Sequence, residues 1–542
     1  MTARLSRTAA DDLTITDLFC GAGGSSSGAT KIPGVRVRMA ANHWKVAIDT
    51  HQTNHPDADH DIADLSQVGP HRYPRTRILW ASPSCTNHTQ AKGISRATQA
   101  DEWNPYDGRP LPKEAAERSR ATMWDVPRFA EFHHYDAVVV ENVVDAAKWI
   151  LFPAWLHAME SLGYEHEIVW LNSMHAQAYG MPAPQSRDRM YVVFWRRGNR
   201  RPDLAKWTRP FAHCPKHGTV QCVQTFKRTD GTRWGRYRAQ YVYRCPNTHC
   251  PIGTLEPGWL SASSVIDWAR RGQRIGDRAK PLAPKTRERI RLGIARYWGP
   301  LVIEAAGNTY DSTSPKHRAH GDPNGYVRAW PTTEPVKTIH TKQSKALVVA
   351  GAPTPPPLVP VEGGDRKIAS AAAGALRTQS TRNETALLIP MRNHNTSKQV
   401  REPLDTIAAA GNHHALLMRN QSGGAEMTTP TEEPIRTLTT RGDQSLLAPS
   451  EPMSVDVDDC EFRMLEPDEI KRGMAFEDDY VLLGSKRAQV RLAGNAVTPP
   501  AARDLIAAVA ESLGLPIDRS DDAYRLVAAH RRTATHNDTR GA

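Results

Sequence analysis

The sequence has few cysteines and no long apolar run. Only 7 of its 542 residues are cysteine, which argues against a small domain held together by disulfides. No run approaches the roughly 18 apolar residues that a membrane-spanning helix requires, and the opening MTARLSRTAADDLTITDLF contains no apolar signal segment. We therefore expect a soluble, cytoplasmic protein without a membrane partner, whose cysteines act as thiols or metal ligands.

Acidic residues are outnumbered by basic ones. The chain has 70 Lys and Arg against 58 Asp and Glu, a formal net charge of +12 with neutral histidines. This excess favours a polyanionic partner, because each phosphate that a protein neutralises releases counterions. A basic surface without a specific partner explains the charge equally well.

Short apolar runs alternate with polar stretches between Thr14 and Arg196. The runs that predict strands are LTITDLF, RVRMAAN, RILWAS, DAVVVEN and RMYVVFW. Such alternation is typical of an α/β layer built on a mostly parallel sheet. Ligands of these folds bind outside the carboxyl ends of the strands.

Changes of composition divide the rest of the chain. We expect an amino-terminal tail (1–13), the first part of the α/β domain (14–200), an Arg-, Cys- and aromatic-rich insertion (201–260), a β-rich region (261–455), a return to the first domain (456–517) and a flexible tail (518–542). WLSASSVIDWARRG and LAPKTRERIRLGIARYWG predict two helices, and AARDLIAAVAESLGL predicts an amphipathic helix that packs back on the first domain.

The β-rich region contains a degenerate repeat. EPVKTIHTKQSKALV, LRTQSTRNETALL, EPLDTIAAAGNHHALL and EPIRTLTTRGDQSLL align at Thr338, Thr378, Thr406 and Thr437. Each copy predicts a short strand, a polar loop and an apolar strand, so we expect stacked β units with loops on one face. The polar loop residues favour contact with nucleic acid over a β domain without a ligand.

Four of the seven cysteines lie in the insertion. HCPKHGTVQC contains Cys214, His217 and Cys222, and YRCPNTHC contains Cys245 and Cys250. This spacing suits a tetrahedral structural zinc bound by Cys214, His217, Cys245 and Cys250, with Cys222 as the substitute ligand. The alternative is a group of reduced cysteines without a metal. The basic and aromatic residues between these two cysteine-containing segments favour contact with DNA phosphates.

The α/β part carries five short motifs. TDLFCGAGGSSSGA joins a strand to a helix through a glycine-rich turn, which is typical of nucleotide binding but weak evidence alone. PSC places Cys85 just beyond a strand, and DAVVVENV ends an apolar strand at Glu141. QSRDR places Arg187 and Arg189 on one face of an extended segment. RLAGNAVTPP predicts a Gly-Asn turn before a helix that begins with proline.

The ordered set DLFCGAGG, PSC, ENV, QSRDR and GNAV resembles the DNA (cytosine-5) methyltransferases. The resemblance covers about residues 14–196 and 460–515, and that family also inserts a variable target-recognition region after the arginine motif. It implies an α/β, Rossmann-like S-adenosylmethionine-dependent methyltransferase domain. Combined with the insertions above, we expect this domain to carry an inserted β-rich target-recognition region and a zinc-ribbon-like segment.

The resemblance also implies roles for individual residues. Cys85 attacks carbon 6 of a flipped-out cytosine, since that atom is inaccessible inside a duplex. Glu141 engages ring nitrogen 3 and the amino group, Arg189 and Arg187 orient Glu141 and the base, and Asn495 of GNAV organises the joint between domains. The residues implied to line the S-adenosylmethionine site are Phe19, Gly21, Gly23, Asn42 and Asp61.

Some positions depart from the family pattern. The usual Pro-Pro-Cys-Gln is Pro83-Ser84-Cys85-Thr86 here, and Asn42 replaces the acid that binds the cofactor ribose. The expected function is transfer of a methyl group to carbon 5 of cytosine in duplex DNA by a monomeric enzyme. The alternatives are the same reaction on RNA, a non-catalytic DNA-binding protein on this scaffold, and transfer of a different one-carbon unit.

Overall fold

The computed structural model of the protein describes most of the α/β part and the insertion, and less of the β-rich region. The described residues are 12–83, 122–297, 301–306, 310–322, 324–332, 334–341, 343–349, 456–520 and 522–527, together with the backbone of six short strands between 357 and 447. Within these ranges, no helix combines the length and apolarity needed to cross a membrane.

Seven strands form a central sheet. The first eight strands are β1 (Leu13–Leu18), β2 (Val35–Asn42), β3 (Asp59–Ile62), β4 (Ile78–Ala81), β5 (Ala137–Asn142), β6 (Tyr164–Asn172), β7 (Gln185–Ser186) and β8 (Asp188–Arg196). All but β7 belong to this sheet, in the order β3-β2-β1-β4-β5-β8-β6. The first five are parallel, and β8 is antiparallel to both of its neighbours. The prediction of an α/β fold with a mostly parallel sheet is confirmed, as are its five predicted strands.

Helices cover both faces of the sheet. Along β5, Val138 and Val140 face one core cluster, while Ala137 and Val139 face the other, as the two-residue period of a strand requires. The helices of the described residues are α1 (Gly24–Ala29), α2 (Lys45–Asn54), α3 (Asp125–His133), α4 (Phe152–Ser161), α5 (Leu204–Thr208), α6 (Pro284–Tyr297), α7 (Pro467–Gly473), α8 (Lys486–Asn495) and α9 (Pro499–Ser512).

The last helix returns to the first domain, as predicted. Every residue of α9 from Pro499 to Ala510 is buried, including the polar residues Arg503 and Asp504. It packs tightly against α1, since a Cβ on Gly28 would lie 2.3 Å from the carbonyl oxygen of Pro499. This part of the helix is buried on all sides because α1 and α5 both contact α9.

The insertion forms two hairpins. Strands β9 (Phe211–Cys214) and β10 (Gly218–Gln221) pair with each other, and β11 (Val223–Phe226) pairs with β12 (Tyr241–Arg244). The aromatic residues of β12 extend the core beneath the central sheet, where Tyr241 and Tyr243 are almost fully buried. The insertion is therefore packed against the α/β layer.

A second sheet follows the insertion. The remaining strands are β13 (Gln273–Arg274), β14 (Leu301–Glu304), β15 (Ala329–Pro331), β16 (Val336–Lys337), β17 (Lys345–Val349), β18 (Pro357–Pro360), β19 (Ser370–Ala371), β20 (Thr385–Ala386), β21 (Leu416–Arg419), β22 (Thr428–Pro430), β23 (Gln444–Leu447) and β24 (Glu461–Met464). The second sheet has the order β13-β24-β17-β14-β15. Outside it, β16 pairs in parallel with β7, which connects this region to the α/β part.

The repeat contributes strands in each copy. The first copy, aligned at Thr338, forms β16 and β17, and the apolar ends of the later copies form β20, β21 and β23. β21 and β23 pair directly and antiparallel. The aligned threonines Thr378, Thr406 and Thr437 lie outside the described residues.

Two local predictions are wrong. WLSASSVIDWARRG forms only a one-turn 3-10 helix at Ala262–Val265, because the amide of Asp267 donates to Glu469 and its carbonyl accepts from Arg463. The predicted Gly-Asn turn is instead the end of α8, which continues through Asn495.

Candidate active site

A carboxylate and a guanidinium meet at the carboxyl edge of the central sheet. Glu141 lies at the end of β5, and Arg189 lies near the start of β8. Glu141 Oε1 and Arg189 Nε are 2.8 Å apart, and the two side chains are 11% and 13% exposed, respectively. Because little water reaches the pair, this charge-assisted hydrogen bond orients the carboxylate more firmly than a surface pair would.

The chain that leads to Cys85 passes beside this pair. β4 pairs with β5 so that Ala81 lies opposite Val140, and Asn142 Nδ2 donates to the carbonyl oxygen of Pro83 at 3.4 Å. Cys85 itself lies outside the described residues. The described chain therefore stops two residues before Cys85, at a point in contact with the neighbour of Glu141.

Arg187 occupies a different position from Arg189. Its buried guanidinium donates to the carbonyl oxygens of Ile339, Gly494 and Ala496, at 3.0 to 3.1 Å. These contacts place Arg187 in the joint between the sheet, the second-sheet region and α8. A role of Arg187 in orienting Glu141 stays a prediction.

The backbone of α8 completes that joint. A Cβ on Gly494 would lie 2.2 Å from the carbonyl oxygen of His340, so only glycine permits this close approach. Asn495, expected to organise the joint, has an exposed side chain. The contacts at the joint are made instead by the backbone on either side of Asn495, through the carbonyl oxygens of Gly494 and Ala496.

The glycine-rich turn follows β1 and has one open position. Phe19 and Gly21 both have positive φ, 59° and 55°, and a Cβ on Gly21 would meet nothing nearer than 3.9 Å. At Gly23, with a φ of 79°, a Cβ would lie 2.6 Å from the hydroxyl of Tyr480. Glycine is therefore required by packing at Gly23, whereas Gly21 leaves room for a ligand.

Polar and apolar groups lie together at the next two strand tips. Asn42 is 8% exposed, and its Oδ1 accepts from the amide of Trp44. Asp61 accepts from the hydroxyl of Tyr73 at 3.1 Å, and Ile62 beside it is 48% exposed. A carboxylate, an exposed apolar side chain and open backbone at Gly21 suit a nucleoside such as that of S-adenosylmethionine. Sequence reasoning did not select Ile62, although an apolar residue directly after a strand-tip acid is a usable signal.

A buried network that the sequence analysis missed supports this edge. Asp17 Oδ2 accepts from Ser25 Oγ and Ser26 Oγ at 2.5 and 2.6 Å. His51 Nε2 lies 2.9 Å from Ser26 Oγ, and its Nδ1 lies 2.8 Å from His60 Nε2. Burial raises the pKa of Asp17 to about 6, although the two serine hydroxyls oppose the shift. The network connects β1, α1, α2 and β3 beneath the strand tips.

Four side chains of the insertion converge on one point. The ligand atoms of Cys214, His217, Cys245 and Cys250 all lie within 4.8 Å of one another. His217 Nδ1 is 3.4 Å from the sulfurs of Cys214 and Cys245, and the sulfurs of Cys214 and Cys250 are 3.6 Å apart. A tetrahedral zinc with ordinary bond lengths holds its ligand atoms about 3.5 to 3.8 Å apart. The donor set therefore fits a metal of this type.

Cys222 does not belong to this group. It is fully buried, and burial raises the pKa of its thiol to about 12, with a smaller contribution from Cys245. A neutral thiol in an apolar setting is a packing residue. The structure thus brings together the first-choice ligand set and leaves out the substitute.

His175 lies between the sheet and the insertion and titrates abnormally. Its ring packs edge-on against Tyr237 and Tyr243, with centroids 4.5 and 5.2 Å away. Neither ring nitrogen has a hydrogen-bond partner among the described residues. Burial, with a smaller contribution from Arg238, lowers the pKa of His175 to about 3. The folded protein therefore holds this histidine neutral.

We expect His175→Phe to make the protein less sensitive to mild acid. A histidine whose pKa is lowered in the fold contributes stability that is present above about pH 6.5 and is lost as the pH falls toward the folded value. Between pH 7 and pH 5, wild type should lose about 2 kcal/mol more than the variant. Urea unfolding at both pH values measures this. The exposed His157 gives the matched control His157→Phe, and an equal loss in all three proteins would contradict the assignment.

A family model described as C-5 cytosine-specific DNA methylase matches residues 13–217 and 366–511. A search of curated proteins finds no match.

A search of solved structures finds matches with TM-scores near 0.4. A DNMT2 variant of Spodoptera frugiperda has 13% identity and a TM-score of 0.41, with 92% of this chain and 99% of that one covered. A putative DNA modification methyltransferase encoded within a prophage of E. coli has 12% identity and a TM-score of 0.39, covering 93% and 100%. The Entamoeba histolytica methyltransferase EhMeth has 9% identity and a TM-score of 0.41, covering 93% and 99%.

Proposed function

The chain belongs to the C-5 cytosine-specific DNA methylase family, and we propose that it transfers a methyl group from S-adenosylmethionine to carbon 5 of cytosine in duplex DNA. One observation carries the proposal beyond the family assignment. The oriented pair Glu141–Arg189 lies at the edge of the sheet where Asn142 contacts Pro83, the residue that leads toward Cys85. The proposal adds Cys85 as the nucleophile to this observed pair of an acid and a cation.

The chemistry at this edge divides between residues. Cys85 attacks carbon 6 of a flipped-out cytosine as the thiolate, forming a sulfur–carbon bond and pushing the ring electrons toward carbon 5. Glu141 binds ring nitrogen 3 and the amino group, which stabilises the electron density delivered to the ring. Arg189 keeps the Glu141 carboxylate in place through the 2.8 Å contact.

The reaction is completed by elimination. When bound, S-adenosylmethionine would supply an electrophilic methyl group to carbon 5, and its sulfur would keep the electrons of the broken bond as a neutral thioether. The proton of carbon 5 then passes to solvent water, and the electrons of that bond re-form the double bond between carbons 5 and 6. The sulfur of Cys85 leaves carbon 6 with its bonding electrons, as the thiolate. The enzyme is regenerated and 5-methylcytosine is released. Phe19, Gly21, Asn42 and Asp61 are the residues of this chain that would hold and orient the cofactor at the strand tips.

A compact basic loop supports a nucleic-acid substrate. The segment between β14 and β15 carries exposed Lys316 and Arg318, and it is organised by buried Asp311. That carboxylate accepts from the amide and hydroxyl of Thr313 and from the amide of Arg328. Cations on a pre-organised loop bind phosphates without a large ordering cost. The loop belongs to the region where the family places target recognition.

One assay tests the reaction and the substrate together. The protein is incubated with labelled S-adenosylmethionine and either duplex DNA or RNA, and the modified bases are then mapped by bisulfite sequencing. We expect label and protected cytosines in duplex DNA only. Label confined to RNA would show that the substrate class is wrong while the reaction is right, and no label in either would contradict the enzymatic proposal.

The Cys and His cluster of the insertion would hold a structural zinc. Purified protein should contain about one zinc per chain, because four deprotonated or neutral ligands at this spacing complete a tetrahedral shell. Cys214→Ala should lose the metal, and Cys222→Ala is the matched control from the same segment and should keep it. Elemental analysis of the three proteins measures this, and far less than one zinc in wild type would contradict the proposal.

The division of the chain follows from the same proposal. The catalytic domain would comprise residues 14–200 and the chain that follows the target-recognition region. Because β24 pairs with β17 in the second sheet, this return would begin after Met464 rather than at 456. The enzyme would act as a monomer, which sedimentation analysis can test.

A further inference from the structure

The inserted segment contacts the chain next to Glu141 and Arg189 through a short stretch that we call the docking arm, residues 234–240. Gly235 makes its bend possible, with a φ of 136° and a missing Cβ that would lie 2.2 Å from Gln240 Cβ. Gln240 Oε1 accepts from the amide of Arg236 at 2.8 Å and closes the bend. The arm is therefore a bend whose conformation is fixed by its own contacts.

One side of the arm holds the chain that follows Glu141. Trp234 Nε1 donates to the carbonyl oxygen of Val144 at 3.0 Å, and Lys148 Nζ lies 3.6 Å from the centroid of the Trp234 ring. Arg236 Nη2 lies 2.5 Å from Asp145 Oδ2, on a carboxylate that is only 1% exposed. The residues three and four positions beyond the catalytic acid are thus fixed by the insertion.

The other side of the arm holds the residue before Arg189. The amide of Tyr237 donates to Asp188 Oδ1 at 2.9 Å, and the hydroxyl of Tyr237 donates to Glu256 Oε1 at 2.6 Å. Burial raises the pKa of Asp188 to about 6, and the bond from Tyr237 acts in the opposite direction. Adjacent arm residues, Arg236 and Tyr237, therefore hold the two chain segments that carry Glu141 and Arg189.

The arm is continuous with the metal cluster. Strand β12 begins directly after Gln240 and ends at Arg244, next to Cys245, and β12 pairs with β11 over its whole length. A metal that joins Cys245 to Cys214 and His217 would fix the far end of this short strand. Without it, the described hydrogen-bond contacts between residues 245–250 and the β9–β10 hairpin are the weak thiol contacts of the cluster itself and one contact of 3.2 Å between Asn247 Nδ2 and His217 Nε2.

We propose that the metal-bearing insertion positions the Glu141–Arg189 pair, with Arg236 and Tyr237 as positioning residues. The inference deepens the proposed function and rests on it, since the pair is taken to act on cytosine. A shift of about 1 Å in catalytic groups can lower a rate by about 100-fold. The insertion is then part of the catalytic machinery and not a separate DNA-binding module.

Steady-state kinetics of four variants, compared with wild type, test the positioning role. We expect Arg236→Gln and Asp145→Asn each to lower kcat by about 10- to 100-fold, with KM for S-adenosylmethionine unchanged, because the cofactor edge at β1–β3 is not touched. The double variant should be no worse than Asp145→Asn, since both changes break the contact between Arg236 and Asp145, and Asp145→Asn also weakens the 3.5 Å contact with Lys148. Arg228→Gln is the matched control, because that arginine lies in the same segment on an exposed pair with Asp230.

The metal should act through the same contacts. Chelation of wild type should lower kcat to a similar extent, zinc should restore it, and chelation should add little to the loss in Arg236→Gln. Wild-type kcat in Arg236→Gln and Asp145→Asn, in proteins that keep their metal and their thermal unfolding temperature, would overturn the inference.

Hydrogen exchange separates this inference from the proposed function. Chelation or Arg236→Gln should speed amide exchange in residues 142–148 and leave residues 35–42 in β2 unchanged. This measurement needs no turnover, so it decides the positioning role even for a chain that methylates nothing. Unchanged exchange in 142–148 would overturn the inference, whereas an inactive wild type with faster exchange there would contradict the proposed function alone.

Discussion

Replacing Glu141 with glutamine is expected to lower kcat by about 10²- to 10⁴-fold, the range typical of a lost acid–base group. Glutamine has nearly the same size, and its carbonyl oxygen can still accept from Arg189 Nε, which now lies 2.8 Å from Glu141 Oε1. It cannot carry the charge or share the proton that the ring nitrogen of cytosine requires. KM for S-adenosylmethionine should stay constant, because the predicted cofactor residues lie on β1, β2 and β3 while Glu141 lies on β5.

A matched acid–base pair on the protein surface provides the control. Glu167 in β6 lies 2.6 Å from Arg201, with 35% of the Glu167 side chain exposed. Glu167→Gln removes the same chemical group from the same sheet but far from the carboxyl edge of β5, so kcat should remain within about 3-fold of wild type. A similar result for Glu141→Gln, in a protein that binds DNA and cofactor normally, would show that Glu141 has no role in the chemistry.

The structural features that are easiest to predict from the sequence are those that depend on residues close together along the chain. An apolar run such as AVVV in β5 is buried on both faces, and its pattern alone predicts a central parallel strand. The carboxyl ends of parallel strands share one edge of a sheet, so Glu141 could be assigned to the ligand edge without coordinates. β6 escaped prediction because the first half of YEHEIVWLN is polar and resembles a loop, which leaves only the short apolar run IVWL as a signal.

Contacts between distant parts of the chain could not be predicted in this way. The guanidinium of Arg187 binds a carbonyl 152 residues further along the chain, and Tyr480 packs where a Cβ of Gly23 would lie. No local pattern identifies such partners, so Arg187 resembled its neighbour Arg189, and Gly23 resembled Gly21. The docking arm is hidden for the same reason, since WGRY gives no indication that it contacts Asp145 and Asp188.

Cys85→Ser is expected to reduce methyl transfer below detection, which makes it the most severe of these substitutions. A serine hydroxyl is a far weaker nucleophile near neutral pH than a cysteine thiolate, and Cys20, the other cysteine that the described residues place near this edge, is buried. The described chain ends at Pro83, two residues before Cys85, where Asn142 Nδ2 donates to the Pro83 carbonyl oxygen. Loss of turnover alone would not identify the attacking atom, because serine could also disturb the loop.

Covalent trapping identifies that atom. A duplex in which 5-fluorocytosine replaces cytosine blocks the final elimination, because fluorine cannot leave carbon 5 as a cation, and the bond from sulfur to carbon 6 therefore persists. Wild type should form a protein–DNA complex that survives denaturing electrophoresis, and Cys85→Ser should form none. Cys20→Ala is the control for the other cysteine near this edge, whose thiol is buried with a pKa well above its usual range. Trapping that persists in Cys85→Ser and disappears in Cys20→Ala would transfer the nucleophile to Cys20, whereas the reverse result fixes Cys85 as the residue that attacks cytosine.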